Sequence, residues 1–466
     1  MSDVIKKALL LVLLLTAQAY AAGKWVTVWT GSTHGPYPAG NAVAQPDLHA
    51  VFPEAGANDQ TFRLILQPNL WGRRIRLRFS NLFGSLPLQV DGVYVGVHAS
   101  AGRLLAGTNR VVHFNGRSTV TIEPGHLVWS DAVDLGEIYV ERKMAVSFHV
   151  VGESGTMTWH AKAMQTSYVS RPRGGSHGAE ESSDAFPFTT TSWYFLDAVD
   201  AMLPTNTNVV VAFGDSITDG TNSTINGDDR WPDFLAARAR ASFGQKVIVV
   251  NAGIGGNQVI GPAKYDKDRP IGGGPSALER LDRDVLALSG VKTVIWLEGI
   301  NDLGTAKATP EGVIAGFKDG VDRMHAHGIR VIGATITSSL HSTQTQGTSE
   351  VDARRKAINE FIRHGGVFDG VADFDAATLD PQTGTLRSEF QPSSSTGGPG
   401  DRLHPNRAGY QAIGEFDRFA EARPVVIGQG SDLFQRDYST HRSAATSPID
   451  PSYSIPRRSF HRQRGP

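Results

Sequence analysis

The hydrophobic pattern of this 466-residue chain changes its period near residue 200, and no other feature constrains the fold as strongly. Over residues 25–199, apolar residues mostly alternate with polar ones, as they do in Arg74–Phe79. From Val209 onwards, short apolar runs alternate with helical patterns. The chain is also longer than a typical single domain. The sequence therefore predicts two domains of different classes.

The first half contains short strand-like runs between turns that are rich in Gly, Asn, Asp and Pro. These runs are Phe62–Leu66, Arg74–Phe79, Val93–His98, Val111–Phe114, Thr119–Ile122 and Ala145–Val150. Their spacing predicts an antiparallel, jelly-roll-like β-sandwich over residues 24–199. In the second of these runs, Arg74, Arg76 and Arg78 share one face. We interpret this face as a solvated sheet surface rather than a ligand site.

The second half, residues 205–424, follows a hinge-like stretch at Asp197–Asn208. Its apolar runs are Val209–Phe213, Val247–Val250, Val294–Leu297, Val331–Thr335 and Val367–Phe374. Helix-start signals occur at Ser276, Pro310 and Ser349, and a last helix is predicted over about Asn406–Ala422. Strands that alternate with helices predict a parallel sheet with helices on both faces.

The two ends of the chain differ from the rest. Lys6 and Lys7 precede the apolar run Ala8–Leu15, and Ala19-Tyr20-Ala21 resembles a cleavage site. The run is about half of the ~20 residues that a membrane span needs, so residues 1–21 are predicted to be a cleaved signal peptide rather than an anchor. The mature protein is then secreted or periplasmic. Residues 425–466 are predicted to be disordered.

Charge and cysteine content exclude several classes of function. The formal net charge is −1, so the composition indicates neither a nucleic-acid partner nor binding to an anionic membrane. The chain has no cysteine, which excludes disulfides and thiolate zinc sites. No cluster with plausible metal-ligand spacing is visible in the sequence either. We expect no cofactor, no metal and no stable membrane insertion, and the sequence does not indicate an oligomeric state.

Four polar groups follow apolar strands or end the last loop of the second half. They are Ser216, Asn251–Gly256, Glu298–Asp302 and Asp401–His404. Ligands of open α/β sheets bind beyond the carboxyl ends of the strands. We therefore expect these four groups to converge at one edge of the sheet.

Together these groups contain the residue types that acyl transfer needs. A serine hydroxyl becomes nucleophilic when an imidazole takes its proton, and a carboxylate fixes the tautomer of that imidazole. Ser216, His404 and Asp401 fit these roles. The oxyanion of the reaction needs fixed donors, and the candidates are the N–H groups of Ser216 and Gly256 and the amide of Asn301.

The usual Gly-x-Ser-x-Gly elbow is absent, because Thr218 stands where its second glycine belongs. The residues instead resemble the SGNH (GDSL) hydrolase family, whose four short blocks occur in order between about Asn208 and Ala422. The blocks are Gly214-Asp215-Ser216, Asn251-x-Gly253-x-x-Gly256, Gly299-x-Asn301-Asp302 and Asp401-x-x-His404-Pro405. The resemblance implies a flavodoxin-like three-layer α/β/α domain and a metal-free Ser–His–Asp esterase with the same site residues. The first half looks like the β-domain that precedes the catalytic domain in some exported bacterial members.

Four functions fit this sequence. The first is a secreted hydrolase that releases a short acyl group, with acetyl as the first expectation, from a glycan or a small ester. The second is a lipase or lysophospholipase that acts on longer chains. The third is acyl transfer to a sugar instead of water. The fourth is an inactive hydrolase domain whose β-domain binds a glycan.

Overall fold

Antiparallel sheets make up most of the first half of the computed structural model, which describes residues 23–421 except 47, 138, 140, 417 and 418. One sheet has five strands: Gly23–Thr30, Arg74–Ser80, Leu127–Trp129, Val133–Asp134 and Leu196–Pro204. Another has eight: Asn58–Leu66, Leu88–Ser100, Arg103–Leu104, Arg110–Val111, Val120–Ile122, Met144–Glu153, Ser167–Val169 and Phe188–Thr190. A small third sheet contains Gly35–Pro36, Thr158–His160 and Trp193–Tyr194, and a short helix covers Leu48–Val51.

Aromatic rings join the five-stranded sheet to the eight-stranded sheet. Phe79 of the first meets Phe148 of the second edge to face, with ring centroids 5.1 Å apart. Both rings are fully buried in a hydrophobic core. The two sheets therefore pack against each other. Their strands confirm that the first half is β-rich, while the jelly-roll type of sandwich stays a prediction.

A six-stranded sheet forms the centre of the second half. Its spatial order is Val247–Gly253, Asn208–Gly214, Val291–Leu297, Arg330–Ala334, Gly370–Ala372 and Phe419–Glu421. The first five strands are parallel and the last is antiparallel. In chain order the five parallel strands read 2-1-3-4-5, which is the flavodoxin-like order. The predicted parallel sheet is confirmed.

Helices cover this sheet. They are Ser216–Asp219, Trp231–Phe243, Ala277–Leu281 with a π-helical continuation Asp282–Leu286, Ile300–Gly304, Pro310–Ala326, Ser349–His364, Phe374–Thr378 and Arg407–Gly414. Short 3₁₀ turns lie at Gly244–Lys246, Thr345–Gly347 and Ser388–Phe390. Trp231–Phe243 packs with Arg407–Gly414, whereas Pro310–Ala326 packs with Ala277–Leu281 and Ser349–His364. With right-handed crossovers, the strand order places these two groups on opposite faces.

Two predicted element boundaries in the second half are wrong. Phe374 was expected to end a strand, but it begins a helix, because the side chain of Asp373 accepts a hydrogen bond from the N–H of Ala376 and caps that helix. The last helix was expected to reach residue 422, but it ends at Gly414, and Phe419–Glu421 forms the antiparallel edge strand. The predicted signal peptide and the predicted disordered tail lie outside the described residues.

The predicted hinge is also wrong, and the predicted solvated arginine face is wrong for Arg76 and Arg78. Leu196–Pro204 is a strand, and its Asp197 lies 2.6 Å from Arg78, which is only 2% exposed. Asp200 of the same strand pairs with Arg76 at 2.7 Å and accepts a hydrogen bond from Ser289 of the second half. Arg78 is buried and Arg76 is partly buried because acidic residues of the neighbouring strand pair with them, whereas Arg74 is exposed. The division into domains at residues 199 and 205 stays a prediction.

Candidate active site

Three of the predicted site residues form a continuous hydrogen-bonded chain. The Oγ atom of Ser216 lies 2.7 Å from Nε2 of His404. On the other side of the ring, Nδ1 lies 2.5 Å from Oδ2 of Asp401. Because a carboxylate only accepts, Nδ1 carries the hydrogen and Nε2 is left to accept from the Ser216 hydroxyl. This is the tautomer in which a histidine can take a proton from a serine.

A tight turn places Asp401 next to His404. The second carboxylate oxygen of Asp401 accepts from the N–H groups of Leu403 and His404 at 3.0 and 2.9 Å. Burial acts to raise the pKa of Asp401, but the hydrogen bonds from the ring and backbone of His404 outweigh it, and the pKa is well below its usual range. Asp401 is therefore charged at neutral pH.

The end of strand Asn208–Gly214 presents Ser216 at the sheet edge. Gly214 allows the strand to pass close to its neighbour, because an added Cβ would lie 2.1 Å from the carbonyl oxygen of Leu297. The carboxylate of Asp215 then accepts from the N–H of Ile217 at 2.9 Å and caps the helix that Ser216 begins. As the first residue of this helix, Ser216 has no intrahelical partner for its own N–H.

The loop after strand Val247–Gly253 is attached to this helix by hydrogen bonds. The amide of Asn251 donates to the carbonyl of Thr218 at 2.7 Å. The N–H of Gly255 donates to Oδ2 of Asp219, the last residue of the helix, at 2.8 Å. Gly256 follows with φ +83°, in the left-handed region that favours glycine. The second sequence block thus lies against the first.

Asn301 lies beside the same loop. Its Nδ2 donates to the carbonyl of Asn257 at 3.0 Å, and its Oδ1 accepts from Gln346 at 3.0 Å. The second N–H of this amide has no recorded partner within the described residues. The next residue, Asp302, accepts from the N–H of Val259 at 2.8 Å. All the predicted site residues therefore belong to blocks that meet at one edge of the sheet.

Two buried ionisable residues lie at this edge, and sequence patterns gave no signal for the role of either. Arg280 donates to the carbonyls of Gly214 and Ala252 at 2.9 and 2.8 Å, and so links the ends of two strands. Glu298 accepts from the ring N–H of Trp296 at 2.7 Å. Burial raises the pKa of Glu298 to about 8. Glu298 is therefore mostly protonated at neutral pH.

Two side chains of the antiparallel half also reach this edge, and the sequence did not predict their contribution. Nε2 of His160 lies 3.2 Å from Asp219, and Nζ of Lys162 donates to Thr221 at 2.6 Å. Both residues lie in the stretch Thr158–Tyr168, which the sequence marked only as part of the β-domain. No group of three or more His, Asp and Glu side chains within the described residues could hold a metal ion.

Comparisons with known proteins identify a family for part of this chain. A family model described as GDSL-like Lipase/Acylhydrolase family matches residues 212–412, which contain all four sequence blocks. Matching solved structures include a carbohydrate acetylesterase family member from Sinorhizobium meliloti, at 17% identity, covering 44% of this chain and 93% of that one with a TM-score of 0.35. They also include an aryl esterase of M. smegmatis, at 15% identity, 44% and 94% coverage and a TM-score of 0.33. No curated protein sequence matches. Residues 212–412 of this chain therefore belong to the GDSL-like lipase/acylhydrolase family, as the four blocks predicted.

Proposed function

We propose that this protein is a secreted serine esterase that releases short acyl groups, acetyl first, from a glycan or a small ester. The observation that carries the proposal is the hydrogen-bonded chain from Ser216 through His404 to Asp401. Secretion is proposed from the pattern of residues 1–21. The preference for short acyl groups rests on the sequence, which contains no strongly apolar, lid-like helix near the site.

In the first step, Oγ of Ser216 attacks the carbonyl carbon of the ester while Nε2 of His404 takes its proton. The charged carboxylate of Asp401 stabilises the imidazolium that forms. The former carbonyl oxygen becomes negative and receives hydrogen bonds from the N–H groups of Ser216 and Gly256 and from the Asn301 amide. These donors are held in place before the substrate arrives, so they need little reorganisation.

In the second step, the bond to the alcohol breaks and His404 returns its proton to the leaving oxygen. The acyl group is then esterified to Ser216. A water molecule gives a proton to His404 and attacks this ester, and collapse of the second intermediate releases the carboxylic acid and restores the serine hydroxyl. A sugar hydroxyl in place of water gives acyl transfer, which product analysis with an acceptor glycan distinguishes.

Labelling with a fluorophosphonate tests the nucleophile. We expect the wild type to be labelled and Ser216→Ala to remain unlabelled. Ser223→Ala is the matched control, because Ser223 is also buried but donates only to the carbonyl of Gly220, at 2.7 Å. This control should be labelled like the wild type. A wild type without label would favour an inactive, glycan-binding protein.

A series of p-nitrophenyl esters from acetate to palmitate tests the acyl length. We expect kcat/KM to be highest for acetate and to fall as the chain lengthens. Activity that rises toward palmitate would reject the short-acyl proposal and favour a lipase or lysophospholipase. The series uses the chain without residues 1–21 and includes Ser216→Ala to measure background hydrolysis.

A further inference from the structure

Both ring nitrogens of His160 face atoms that can only accept hydrogen bonds. Nδ1 lies 2.7 Å from the carbonyl oxygen of Ser32. Nε2 lies 3.1 Å from the carbonyl oxygen of Lys162 and 3.2 Å from Oδ1 of Asp219. A neutral imidazole has one N–H and one lone pair, so one of these nitrogens would point a lone pair at an oxygen. The geometry therefore fits an imidazolium with a hydrogen on each nitrogen.

The surroundings of His160 also suit a positive charge. The ring is 3% exposed and stacks on Trp193, with centroids 5.3 Å apart, where a cation is attracted by the indole face. Burial acts to lower the pKa of His160, but the charge and the hydrogen bond of Asp219 outweigh it, and the pKa is raised. Burial lowers the pKa of the nearby Lys162, whose Nζ donates to Thr221 at 2.6 Å.

The neighbouring His34 is neutral, which limits the positive charge in this region. Its ring centroid is 6.2 Å from that of His160. Burial first, and then the charge of His160, lower the pKa of His34 to about 3. Its Nε2 donates to the carbonyl of Ala39 at 2.9 Å. The cluster thus places His160 and Lys162 near the carboxylate of Asp219.

Asp219 connects this cluster to the loop of the second sequence block. One carboxylate oxygen faces His160, and the other accepts from the N–H of Gly255 at 2.8 Å. Asp219 is also the last residue of the helix that Ser216 begins. The peptide that follows Gly255 carries the N–H of Gly256, one of the oxyanion donors in the mechanism above. The direction of that N–H therefore depends on where the carboxylate of Asp219 is held.

We propose that His160 and Asp219 are positioning residues for the oxyanion loop Gly255–Gly256. The imidazolium from the antiparallel half fixes the carboxylate, and the carboxylate fixes the Gly255 peptide. Neither side chain needs to touch the substrate. The inference rests on the proposed esterase function for its catalytic meaning, whereas the charge state of His160 can be tested without any activity.

The first test is ¹⁵N NMR of the full chain with ¹⁵N-labelled histidine, with His160→Gln used to assign the signal. At pH 7.5 a free histidine, with a pKa of about 6.5, is mostly neutral. We expect both ring nitrogens of His160 to be protonated at this pH. A ring with one unprotonated nitrogen would overturn the proposal whether or not the protein hydrolyses esters. If the charged ring is found but the wild type cleaves no ester, the proposed function fails separately.

The second test is kinetic. We expect His160→Gln and Asp219→Asn to lower kcat by about tenfold or more, because small misplacements of an oxyanion donor are costly, while KM stays within about threefold. The control is His149→Gln, since His149 is also buried between two carboxylates, Asp59 at 2.9 Å and Asp91 at 2.7 Å, but within the eight-stranded sheet. Thermal midpoints verify that each variant is folded. A change in kcat below twofold, or one that the His149 control shares, would overturn the proposal.

Discussion

Asp401 contacts the Nδ1 atom of His404 at 2.5 Å, so the ring can present only its other nitrogen, Nε2, to Ser216. An asparagine at position 401 could donate to Nδ1 and favour the wrong tautomer. We therefore expect Asp401→Asn to lower kcat by on the order of 10⁴, measured with p-nitrophenyl acetate. Glu360→Gln is the control, since Glu360 pairs with the exposed His364 at 2.8 Å. A decrease in kcat of less than tenfold in Asp401→Asn would contradict the role of Asp401 in fixing the tautomer of His404.

Asn301→Ala removes the side-chain amide that we assign to the oxyanion site. The expected result is a decrease in kcat on the order of 10²–10³, because this donor acts mainly in the transition state. Asn359→Ala is the control, since the amide of Asn359 is also buried and bonds the backbone of Ile336 at 2.7 and 2.8 Å. The control should lose stability and keep kcat. If Asn301→Ala changes kcat only two- or threefold, Asn301 is structural.

Arg78→Met leaves the buried carboxylate of Asp197 without its ion-pair partner at 2.6 Å. Removing one member of a buried pair costs about 3–5 kcal/mol, and we expect this decrease in the free energy of unfolding, measured with urea. The same substitution at the exposed Arg74, four residues earlier, should change it by about 0.5 kcal/mol or less. If both substitutions change the free energy of unfolding by a similar amount, the buried ion pair does not contribute to stability.

The raised pKa of Glu298 predicts how the stability of the fold depends on pH. Burial raises its pKa from 4.5 to about 8 in the folded protein. Below pH 4.5 the carboxyl is protonated in both states, and its contribution to stability is complete. Between pH 4.5 and 8 the unfolded chain releases the proton before the folded protein does, so the contribution is lost as pH rises. Glu298→Gln cannot ionise.

The thermal midpoint of Glu298→Gln should therefore improve relative to the wild type between pH 5 and pH 8. The constant cost of a glutamine at this buried position cancels in that comparison. Asp215, whose pKa burial raises to about 7, is present in both proteins. A difference between the two midpoints that does not change with pH would contradict the raised pKa.

The parallel half could be predicted well because its signals are local. Each apolar run is long enough to define a buried strand, and parallel strands have their carboxyl ends at one edge. This rule is sufficient to predict that Ser216 and His404 approach each other although 188 residues separate them. Helix boundaries were predicted less well: the cap at Asp373 begins a helix where a strand was expected, and the last helix ends at Gly414.

The antiparallel half was predicted less well because alternation shows which residues share a face, but not what covers that face. Arg76 and Arg78 looked solvated since their acidic partners lie more than a hundred residues away, in a stretch that resembled a hinge. His160 and Asp219 come from different halves, and no spacing rule connects them. Long-range pairing of charges is a property of tertiary structure.

The shared carboxylate of Asp200 has an evolutionary consequence. It accepts hydrogen bonds from Arg76 of the antiparallel half and from Ser289 of the parallel half, both through the same oxygen. A gene fusion that exchanged the antiparallel half for an unrelated β-module would remove Asp200 and Arg76 together and leave the hydroxyl of Ser289 without this acceptor. A replacement module that keeps this contact with the parallel half would therefore have to supply a hydrogen-bond acceptor where Asp200 stands.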